Sequence, residues 1–600
     1  MMQMNRQGEA EKKIAELYAD LNRRAGASPF GSCPVDFTAA FLRLCLAQSC
    51  GKCVPCRVGL SRLVEMLERI LDGAGSAADI DLIRETAQAI YDSADCAIGF
   101  EAAKMVLDGL AAFEDDYRSH IEKDVCTAKF GSVPCQTGCP AHVNIPGYIA
   151  CIGAGRYADA VRVIRQTNPF PAVCGLICEH PCEKYCRRNV VDDAINIRGL
   201  KRYAVEKAGD VPAPKAAPKN GKTVGIIGGG PAGLTAAYFL ALRGFEVTVY
   251  EKRPKLGGML RYGIPAYRLP DADLDRDLDV ILSTGVKVEY GKAVGKDISF
   301  ADFRKTFDAV YISIGAHGAK KLGIEGEDAK GVLSAVELLG SLGGLESLEG
   351  LAGSGGLGLA GKRVVVIGGG NVAMDATRTA KRLGAKSVTC VYRRRIVDMT
   401  ALPEEVAGAQ AEGCEVLQLM APVRVAVEDG AVAGLVVKPQ IAGAIKGGRP
   451  SPVNSTAPEE TIPCDIVVAA IGQRVDDTGL DLKAEGVFVG GDCYTGPATV
   501  IRAIDAGRVA ASNIVRLFDC SDCSIEACVD PVDIPAATAG QRLHWGRVNM
   551  QERAAEERKG DFNLMEKCLT DEEAAQECSR CLRCDHCGFG AFKGGRIAKW

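Results

Sequence analysis

The sequence predicts an α/β protein in which two Rossmann-like dinucleotide-binding domains follow two mainly helical, cysteine-rich domains and precede a cysteine-rich tail. Three observations predict this order. Two stretches, beginning at Lys222 and Lys362, have the pattern of a strand, a glycine-rich turn, a helix and a second strand. Cysteines cluster before the first of these stretches, and they cluster again near the end of the chain. Such tight cysteine clusters, in a chain without an apolar leader, indicate metal or iron–sulfur ligation rather than disulfides.

Composition sets the class of protein. The 600 residues are 47% hydrophobic and 25% charged, with a formal net charge of −4, which is ordinary for a soluble protein of about four domains. The weak net charge gives no reason to expect nucleic acid or an anionic membrane as a partner. The N-terminal stretch MMQMNRQGEAEKK has no apolar h-region, and no apolar run is long enough to span a bilayer. We therefore expect a cytoplasmic protein.

The first glycine-rich turn follows a short apolar strand and has the spacing G-x-G-x-x-G. Its glycines allow a tight turn, a close approach to a pyrophosphate and close packing of helix on strand, and the helix N-terminus presents free N–H groups to phosphates. The candidate binding residues in it are Gly228, Gly230, Pro231, Ala232 and Gly233. Glu251 ends the second strand, where a carboxylate accepts a hydrogen bond from a ribose hydroxyl. This stretch predicts a dinucleotide site.

The second glycine-rich turn repeats the pattern with one change, because Ala373 stands at the third glycine position. Its candidate binding residues are Gly368, Gly370, Asn371, Val372 and Ala373. The following strand ends on Arg393, Arg394 and Arg395, where the first fold has Glu251. A guanidinium binds a 2′-phosphate bidentately, whereas a carboxylate repels it. We therefore predict NADP(H) at the second fold, with Arg393 and Arg394 on the phosphate, and FAD at the first.

The run SCGKCVPCRVG presents three cysteines at two-residue gaps, and a fourth follows after a helical interval. The spacing suits an iron–sulfur cluster, with a zinc site as the alternative. The run and the later cysteine resemble the C-terminal cluster domain of the NADH-oxidising flavoprotein subunit of NADH:quinone oxidoreductase, over about residues 30–120. The FMN-binding part of that family is absent. The resemblance implies one [4Fe–4S] cluster, ligated by Cys50, Cys53, Cys56 and Cys96.

A second cysteine module contains the words CPAHVNIPGYI, NPFPAVCG, HPCEKYCRR and INIRGLKRYA. These resemble the N-terminal iron–sulfur domain of the glutamate synthase small subunit, which is shared with dihydropyrimidine dehydrogenase. The implied ligands are Cys126, Cys135, Cys139, Cys178, Cys182 and Cys186. The chain departs from the family in having one cysteine, Cys126, before Cys135, and Arg202 where some relatives use glutamine. One cluster is expected, a second is left open, and Cys174 is expected to be structural.

The same resemblance extends through the dinucleotide folds, over about residues 125–518. The words KLGGMLRYGIPAYRLP resemble the loop that covers FAD and implicate Gly257, Gly258 and Arg261. Asp492 matches the acid that meets FAD in flavoproteins with two dinucleotide folds. Thr499 begins a helix whose N-terminus can stabilise charge on the reduced ring.

The tail has its own cysteines, and four of them stand at successive Cys-x2-Cys spacing. Its candidate ligands are Cys568, Cys578, Cys581, Cys584 and Cys587. The spacing predicts a further iron–sulfur cluster, and zinc is the alternative because four sulfurs also suit zinc. The group at 520–528 is a further source of ligands.

These motifs together predict an NADP(H)-dependent FAD and iron–sulfur oxidoreductase with two to four [4Fe–4S] clusters and no catalytic side chain, because its cofactors carry the chemistry. The chain resembles the large subunit of electron-bifurcating ferredoxin-dependent transhydrogenases, including the Stn type. That resemblance implies a hetero-oligomer with NADH- or ferredoxin-linked flavin and iron–sulfur subunits, and ferredoxin as a partner. The alternative is a glutamate synthase small subunit. A non-catalytic relay scaffold would require both dinucleotide folds to be vestigial, although their glycines are intact.

The predicted domain boundaries follow from these motifs and from the Pro/Ala/Lys-rich linker DVPAPKAAPKNGK. They are an N-terminal helix at 1–29, the first cluster domain at 30–120, the second at 121–210, the linker at 211–221, the FAD domain at 222–340 and 463–518, the NADP domain at 341–462 with an inserted loop at 341–361, and the tail at 519–600.

Overall fold

The computed structural model describes residues 33–71, 74–123, 133–343, 345, 358–446, 449–518, 531–535 and 546–586. The predicted N-terminal helix, most of the predicted inserted loop, Cys126, the cysteines at 520–528 and Cys587 lie outside these residues. Among the helices that the structure describes, none is both long and apolar enough to cross a membrane.

Residues 33–123 form the predicted helical domain. Its elements are α1 (Pro34–Gln48), a π-helical turn (Pro55–Leu60), α2 (Ser61–Leu71), α3 (Ala77–Ser93) and α4 (Ala97–Lys123). Helix α2 buries Leu63, Leu67 and Ile70, the spacing of an amphipathic helix packed on a core. The Ser76 amide donates to the Asp79 carboxylate at 2.6 Å, which caps the first turn of α3.

Residues 133–208 form the second helical domain, which is also predicted. Its helices are α5 (Pro134–Thr137), α6 (Ile145–Gly153), α7 (Tyr157–Arg165), α8 (Pro171–Ile177), α9 (Pro181–Lys184) and α10 (Ile197–Ala208). Asn144 and Asn196 cap α6 and α10 by accepting from the amides of Gly147 and Gly199, at 3.0 and 2.9 Å. The apolar core of this domain continues into the first dinucleotide fold.

Residues 222–518 contain the two dinucleotide folds. Their strands are β1 (Thr223–Ile227), β2 (Glu246–Glu251), β3 (Lys287–Tyr290), β4 (Ala309–Ile312), β5 (Gly318–Ala319), β6 (Val332–Ser334), β7 (Arg363–Ile367), β8 (Ser387–Tyr392), β9 (Glu415–Gln418), β10 (Met420–Glu428), β11 (Ala431–Lys446), β12 (Arg449–Asn454), β13 (Glu460–Pro463), β14 (Ile466–Ala469), β15 (Gln473–Arg474) and β16 (Val487–Val489). Their helices are α11 (Pro231–Leu242), α12 (Met259–Tyr262), α13 (Asp271–Leu282), α14 (Phe300–Thr306), α15 (Ala335–Gly340), α16 (Asn371–Arg382), α17 (Pro403–Ala411), α18 (Asp492–Thr495) and α19 (Val500–Leu517).

The first fold is a parallel sheet in the order β16-β4-β1-β2-β3. Helix α11 connects β1 to β2 and is buried along its whole length from Ala232 to Leu242, because it packs on the sheet, on α19 and on the second helical domain. The Arg508 guanidinium of α19 donates to the Ala141 carbonyl at 3.0 Å. The second helical domain is thereby fixed on the first dinucleotide fold.

The second fold is a parallel sheet in the order β6-β14-β7-β8-β9. The prediction that the strand at Ile466 returns to the first fold is wrong, because β14 pairs with β7 and β6 of the second. The prediction failed because an apolar run that ends in glycine suits either sheet.

The chain crosses between the folds through β5 and returns through β15, and these two segments pair antiparallel. A further antiparallel sheet of β10, β11, β12 and β13 extends the second fold.

The part of the tail that the structure describes lies across the second helical domain and the second fold. It contains α20 (Ala555–Arg558) and α21 (Asp571–Arg580). Glu566 pairs with Arg198 of α10. The Arg558 guanidinium donates at 2.8 Å to the carboxylate of Glu412, the residue that follows α17. These charged contacts join tail residues to segments that are far away in the sequence, so this part of the tail is packed on the rest of the fold.

Glu412 is the centre of a buried ionic network. It is 0% exposed and accepts from Arg378 at 2.6 Å, from Arg382 at 2.5 Å and from Arg558 at 2.8 Å. Arg268, from the loop after α12, extends the network by pairing with Asp375 of α16 at 2.9 Å. The network therefore joins the first fold, the second fold and the tail.

We predict that Glu412→Gln lowers the free energy of unfolding by about 3–5 kcal/mol, because it leaves buried guanidinium charges without their carboxylate. Glu428→Gln, at an exposed carboxylate on β10, is the matched control and should change stability by less than about 0.5 kcal/mol. Urea unfolding of both variants measures the difference. Equal free energies of unfolding for the Glu412→Gln and Glu428→Gln variants would show that the network does not depend on the Glu412 charge.

The same carboxylate predicts an acid sensitivity. Burial alone would raise the pKa of Glu412, but the guanidiniums of Arg382 and Arg378 outweigh it and lower the pKa from 4.5 to about 2. A depressed pKa means that the ionised group stabilises the fold above pH 4.5, and that this stability is lost as pH falls towards 2. The Glu412→Gln variant should lack this part of the acid transition.

Candidate functional site

A cleft of about 750 Å³ opens at the carboxyl edge of the first sheet, where ligands bind in open α/β sheets. The predicted residues that line it are Gly228, Gly230, Pro231, Ala232, Glu251, Gly258 and Asp492. Residues from β1, β2, the loop after β2, and α18 therefore meet in one place, although they are far apart in the sequence.

The glycines of this turn are required for different steric reasons. A Cβ at Gly228, which has φ of +107°, would lie 2.6 Å from the Ser313 carbonyl oxygen. A Cβ at Gly233 would lie 2.1 Å from the Gly228 carbonyl oxygen, so only glycine lets helix and turn pack. A Cβ at Gly230 would contact only the Gly258 Cα, at 3.8 Å, and would fill the cradle instead. This open space beside a helix N-terminus fits a pyrophosphate.

Glu251 is buried and holds the glycine turn. One carboxylate oxygen accepts from the Gly229 amide at 2.8 Å, and the other accepts from the Arg253 amide at 2.9 Å. Each oxygen keeps a second lone pair, so the predicted contact with a ribose hydroxyl stays a prediction. The structure adds a role in bracing the turn that the motif alone did not reveal.

Sequence reasoning missed the basic side chains of the cleft. Lys252, Arg253, Lys292 and Lys296 line it together with the carboxylates of Glu251, Asp297, Asp476 and Asp492, and the four cations can pair with phosphates. The signal available in the sequence was the Lys252-Arg253 pair directly after Glu251. The other two lysines follow β3 and belong to no motif.

His317 is a second missed residue. It lines the cleft, and its buried Nδ1 atom has no hydrogen-bond partner among the described residues. Burial, followed by the charges of Arg253 and Lys252, lowers the pKa of His317 to about 4. A neutral imidazole with an unused ring nitrogen fits a cleft built for a hydrogen-bonding ligand.

Asp492 begins α18 and Thr499 precedes α19, and both helices contribute residues to the cleft. Asp492 accepts from the Ala498 amide at 3.2 Å, and burial raises the pKa of its carboxyl. Thr499 is the N-cap residue of α19, and Ala503 of that helix lines the cleft. The predicted approach of this helix N-terminus to the ligand is compatible with this placement.

Arg261 was predicted to contact FAD, but it does not line the cleft. Its guanidinium is buried, donates to the Leu256 carbonyl at 2.7 Å and pairs with Asp271 at 2.7 Å and with Asp275. These contacts brace the loop that contains Gly257, whose φ is +117°. Packing thus holds the Arg261 guanidinium outside the cleft, and its contact with FAD stays a prediction.

The turn of the second fold contacts the second helical domain. A Cβ at Gly368 would lie 2.4 Å from the Ala470 carbonyl oxygen, whereas Ala373 is fully buried without displacing the turn. Asn371 accepts from the Leu402 amide at 2.9 Å and donates to the Glu179 carboxylate at 2.7 Å. Gly370 is the N-cap of α16 and Val372 is 38% exposed.

The three arginines after β8 are not equivalent. Arg395 forms an ion pair with Asp398 at 2.8 Å, and Arg394 donates through Nε to the Pro450 carbonyl at 2.9 Å. Arg393 is exposed, and its guanidinium has no partner in the part of the chain that the structure describes. Arg393 and the outer nitrogens of Arg394 are thus available for a phosphate, which is compatible with the NADP(H) prediction.

In the N-terminal domain, the predicted cluster cysteines lie at the start of two helices. The Cys53 and Cys96 thiols are both within electrostatic reach of Cys56. A Cβ at Gly99 would lie 2.8 Å from the Cys56 sulfur, so glycine leaves room beside the thiols. Cys50 is exposed in the loop that precedes them. This arrangement fits a cluster held at the surface of the domain.

In the second helical domain, the buried Lys201 ammonium is within electrostatic reach of Cys139, Cys174, Cys178 and Cys182. Burial alone would lower the pKa of Lys201, and the four thiols outweigh it and raise the pKa. The expectation that Arg202 takes the glutamine position is wrong in this respect: Arg202 turns away to Glu206 at 2.7 Å and to Glu566. Lys201 is the residue that faces the sulfurs.

The remaining described cysteines fall into separate places. Cys135 and Cys186 share a small cavity with Cys581 and Cys584 of the tail, whereas the Cys568 thiol lies beside Glu206. Cys578 packs near Gly153 of α6. Within the described ranges, no three His, Cys, Asp or Glu side chains converge closely enough to hold a single metal ion.

Comparisons with known families match the chain in three consecutive parts. The NADH-ubiquinone oxidoreductase-F iron-sulfur binding region matches residues 36–120. Dihydropyrimidine dehydrogenase domain II, with its 4Fe-4S cluster, matches residues 117–211. The pyridine nucleotide-disulphide oxidoreductase family matches residues 222–507. The predicted FAD, NADP(H) and [4Fe–4S] cofactors are confirmed by these matches.

Curated relatives match most of the chain. The beta subunit of the NADP(+)-dependent formate dehydrogenase of Moorella thermoacetica is 34% identical over 92% of this chain and 91% of its own length. The beta subunit of the NADPH-Fe(3+) oxidoreductase of Geobacter sulfurreducens is 35% identical over 90% of this chain and 89% of its own. The small chain of Escherichia coli glutamate synthase is 33% identical over 65% of this chain and 89% of its own. The chain therefore belongs to the family of NADP(H)-dependent FAD and iron–sulfur oxidoreductase subunits that includes these three proteins.

Proposed function

We propose that this chain is the NADP(H)-binding subunit of an electron-bifurcating transhydrogenase complex, which passes electrons between NADP(H) and ferredoxin or NAD. The observation that carries the proposal is the series of sites: a second fold suited to NADP(H), an FAD cleft, a cysteine module fixed on the FAD fold, and a separate domain with cysteines at its surface. When bound, NADP(H) and FAD exchange a hydride, and iron–sulfur clusters exchange single electrons.

Direct contacts hold the three inner sites in place. Asn371, at the NADP turn, donates to Glu179 in the cysteine loop at 2.7 Å. The His180 imidazole lies 3.7 Å from the Glu404 carboxylate of α17, and Arg508 of the FAD fold donates to Ala141 at 3.0 Å. These contacts support a short and rigid route between the nicotinamide side and the cysteine module.

The surface of the N-terminal domain supports transfer to a partner. Cys50 is exposed, and the neighbouring Val54 and Val58 are 59% and 54% exposed. Apolar side chains exposed beside a redox motif favour a protein–protein contact. We propose that an NADH- or ferredoxin-linked flavin and iron–sulfur subunit docks here, so that electrons enter or leave through Cys50, Cys53, Cys56 and Cys96.

A second candidate is the NADP(H)-binding subunit of a formate dehydrogenase complex, because that relative matches 92% of this chain. A glutamate synthase small subunit explains less. That small chain matches over 89% of its own length but over only 65% of this chain, so this chain has a large part that the small chain lacks.

Co-purification and turnover of the complex distinguish these functions. The chain is tagged in its native host, the associated subunits are identified, and NADP reduction is measured with defined donors. A bifurcating transhydrogenase reduces NADP only when NADH and reduced ferredoxin are both present. Formate-dependent reduction without ferredoxin would favour the formate dehydrogenase, and activity that requires glutamine would contradict both.

A further inference from the structure

The small cavity between the second helical domain and the tail is lined by cysteines from three distant segments. These are Cys135 at the start of α5, Cys186 after α9, and Cys581 and Cys584 after α21. We propose that these four cysteines ligate one [4Fe–4S] cluster, so that the tail completes a second cluster of the helical domain instead of holding one of its own. The inference does not depend on which partner the complex contains.

The thiols of this set are close to one another. Cys135, Cys186 and Cys581 all line the one cavity, and Cys135 is 9% exposed. Cys584 lines the same cavity and is 9% exposed. Four cysteine sulfurs that surround one cavity are the ligand set of a [4Fe–4S] cluster.

The walls of the cavity suit a cluster as well. Ile145, Ile149 and Leu582 line it beside the cysteines. An apolar shell limits access of water to a cluster and tunes its potential. Thiolates in such a shell need nearby positive charge, and Arg187 and Arg188 also line the cavity.

Two buried residues fix the end of α21 against the loop that follows Cys186. Glu577 accepts from the amides of Asn196 and Val548, each at 2.7 Å. Arg580 pairs with Glu577 at 2.8 Å and donates to the Asp193 carbonyl at 2.6 Å. Because Cys581 follows Arg580 directly, these contacts place its sulfur at the cavity.

The backbone between the two tail cysteines turns sharply. Arg583 has φ of +49°, a left-handed conformation that is uncommon for a side chain of this size. Its guanidinium pairs with Asp585 at 2.9 Å and donates to the Pro535 carbonyl at 3.1 Å. Both Cys581 and Cys584, on either side of this turn, line the one cavity. Strained backbone of this kind collects at functional sites.

This ligand set leaves out three of the predicted ligands of the same domain. Cys139, Cys178 and Cys182 do not line the cavity. The second helical domain would then hold two clusters, one built from its own cysteines and one shared with the tail.

Iron analysis of cysteine variants in the full chain, purified anaerobically, tests the proposal. The double variants Cys135→Ala/Cys186→Ala and Cys581→Ala/Cys584→Ala should each lose about four irons, the content of one cubane, together with the same EPR signal. The quadruple variant should lose no more than about four irons. Cys464→Ala, at a buried cysteine of the second dinucleotide fold outside every cluster motif, is the control and should keep its iron.

Several results would overturn the proposal. A quadruple variant that loses about eight irons would show two independent clusters. Loss of zinc instead of iron in the tail double variant would make the tail a zinc site. Bound FAD per chain reports whether each variant folds. If a double variant does not fold, single Cys584→Ser and Cys186→Ser variants should alter the same EPR signal, and changes in different signals would refute a shared cluster.

Discussion

The Cys53→Ser/Cys56→Ser variant is expected to lose linked turnover of the whole complex by on the order of 100-fold or more, since even residues that only support metal ligands cost 10–100-fold. NADPH-dependent reduction of an artificial dye at the FAD should stay near the wild-type rate. The reason is that hydride transfer requires the two dinucleotide folds, which this change does not touch. The two assays therefore separate the relay from the flavin chemistry.

The control for this variant is Cys45→Ala. Cys45 is fully buried in the same domain but lies outside the cluster motif, so its loss tests packing alone. EPR should show the N-terminal cluster in the control and its absence in the double variant. If linked turnover continues at a near wild-type rate while the cluster is absent, the N-terminal domain has a structural role and the relay proposal fails.

The Arg393→Ala/Arg394→Ala variant is expected to raise KM for NADPH by roughly 10- to 100-fold and to leave KM for NADH within about twofold. A hydrogen bond to a charged group contributes about 1.5–3 kcal/mol, and NADH lacks the 2′-phosphate that these guanidiniums would bind. Steady-state kinetics with both nucleotides measures the effect. Bound FAD should be unchanged, because both arginines follow β8 of the second fold.

Arg395→Ala is the matched control for this pair. Its guanidinium is already engaged by Asp398 at 2.8 Å, so its removal should change KM for NADPH much less than removal of Arg393 and Arg394. Equal changes in KM for NADPH and NADH in the double variant would refute the assignment of NADP(H) to this strand end.

Features whose geometry is set by residues close together in the chain were predictable from the sequence. The turn at Gly228 requires a positive φ and a close approach that only glycine allows, and the helix that follows needs its N-terminus free. The cysteine run at Cys50 likewise places its thiols within one loop. In such motifs the geometry is set within a few residues, so spacing alone indicates the chemistry.

Other features required the tertiary structure. Whether the strand at Ile466 belongs to one sheet or the other depends on hydrogen bonds to partner strands, and its apolar sequence suits both. That Arg261 lies outside the cleft and that Lys201 lies near the cysteines likewise depend on what packs against each side chain. Spacing does not contain that information.

Local patterns in the sequence are sufficient to predict the two dinucleotide folds, the choice between a carboxylate and guanidiniums at their strand ends, and the presence of cysteine ligands. Which cysteines line a common cavity is set by tertiary packing, since Cys135 and Cys584 meet through the packing of α21 on the second helical domain. Contacts between residues that are close in the chain follow from local backbone geometry. Contacts between distant residues are decided by burial and by buried charge pairs such as Glu577 with Arg580, which no local pattern encodes.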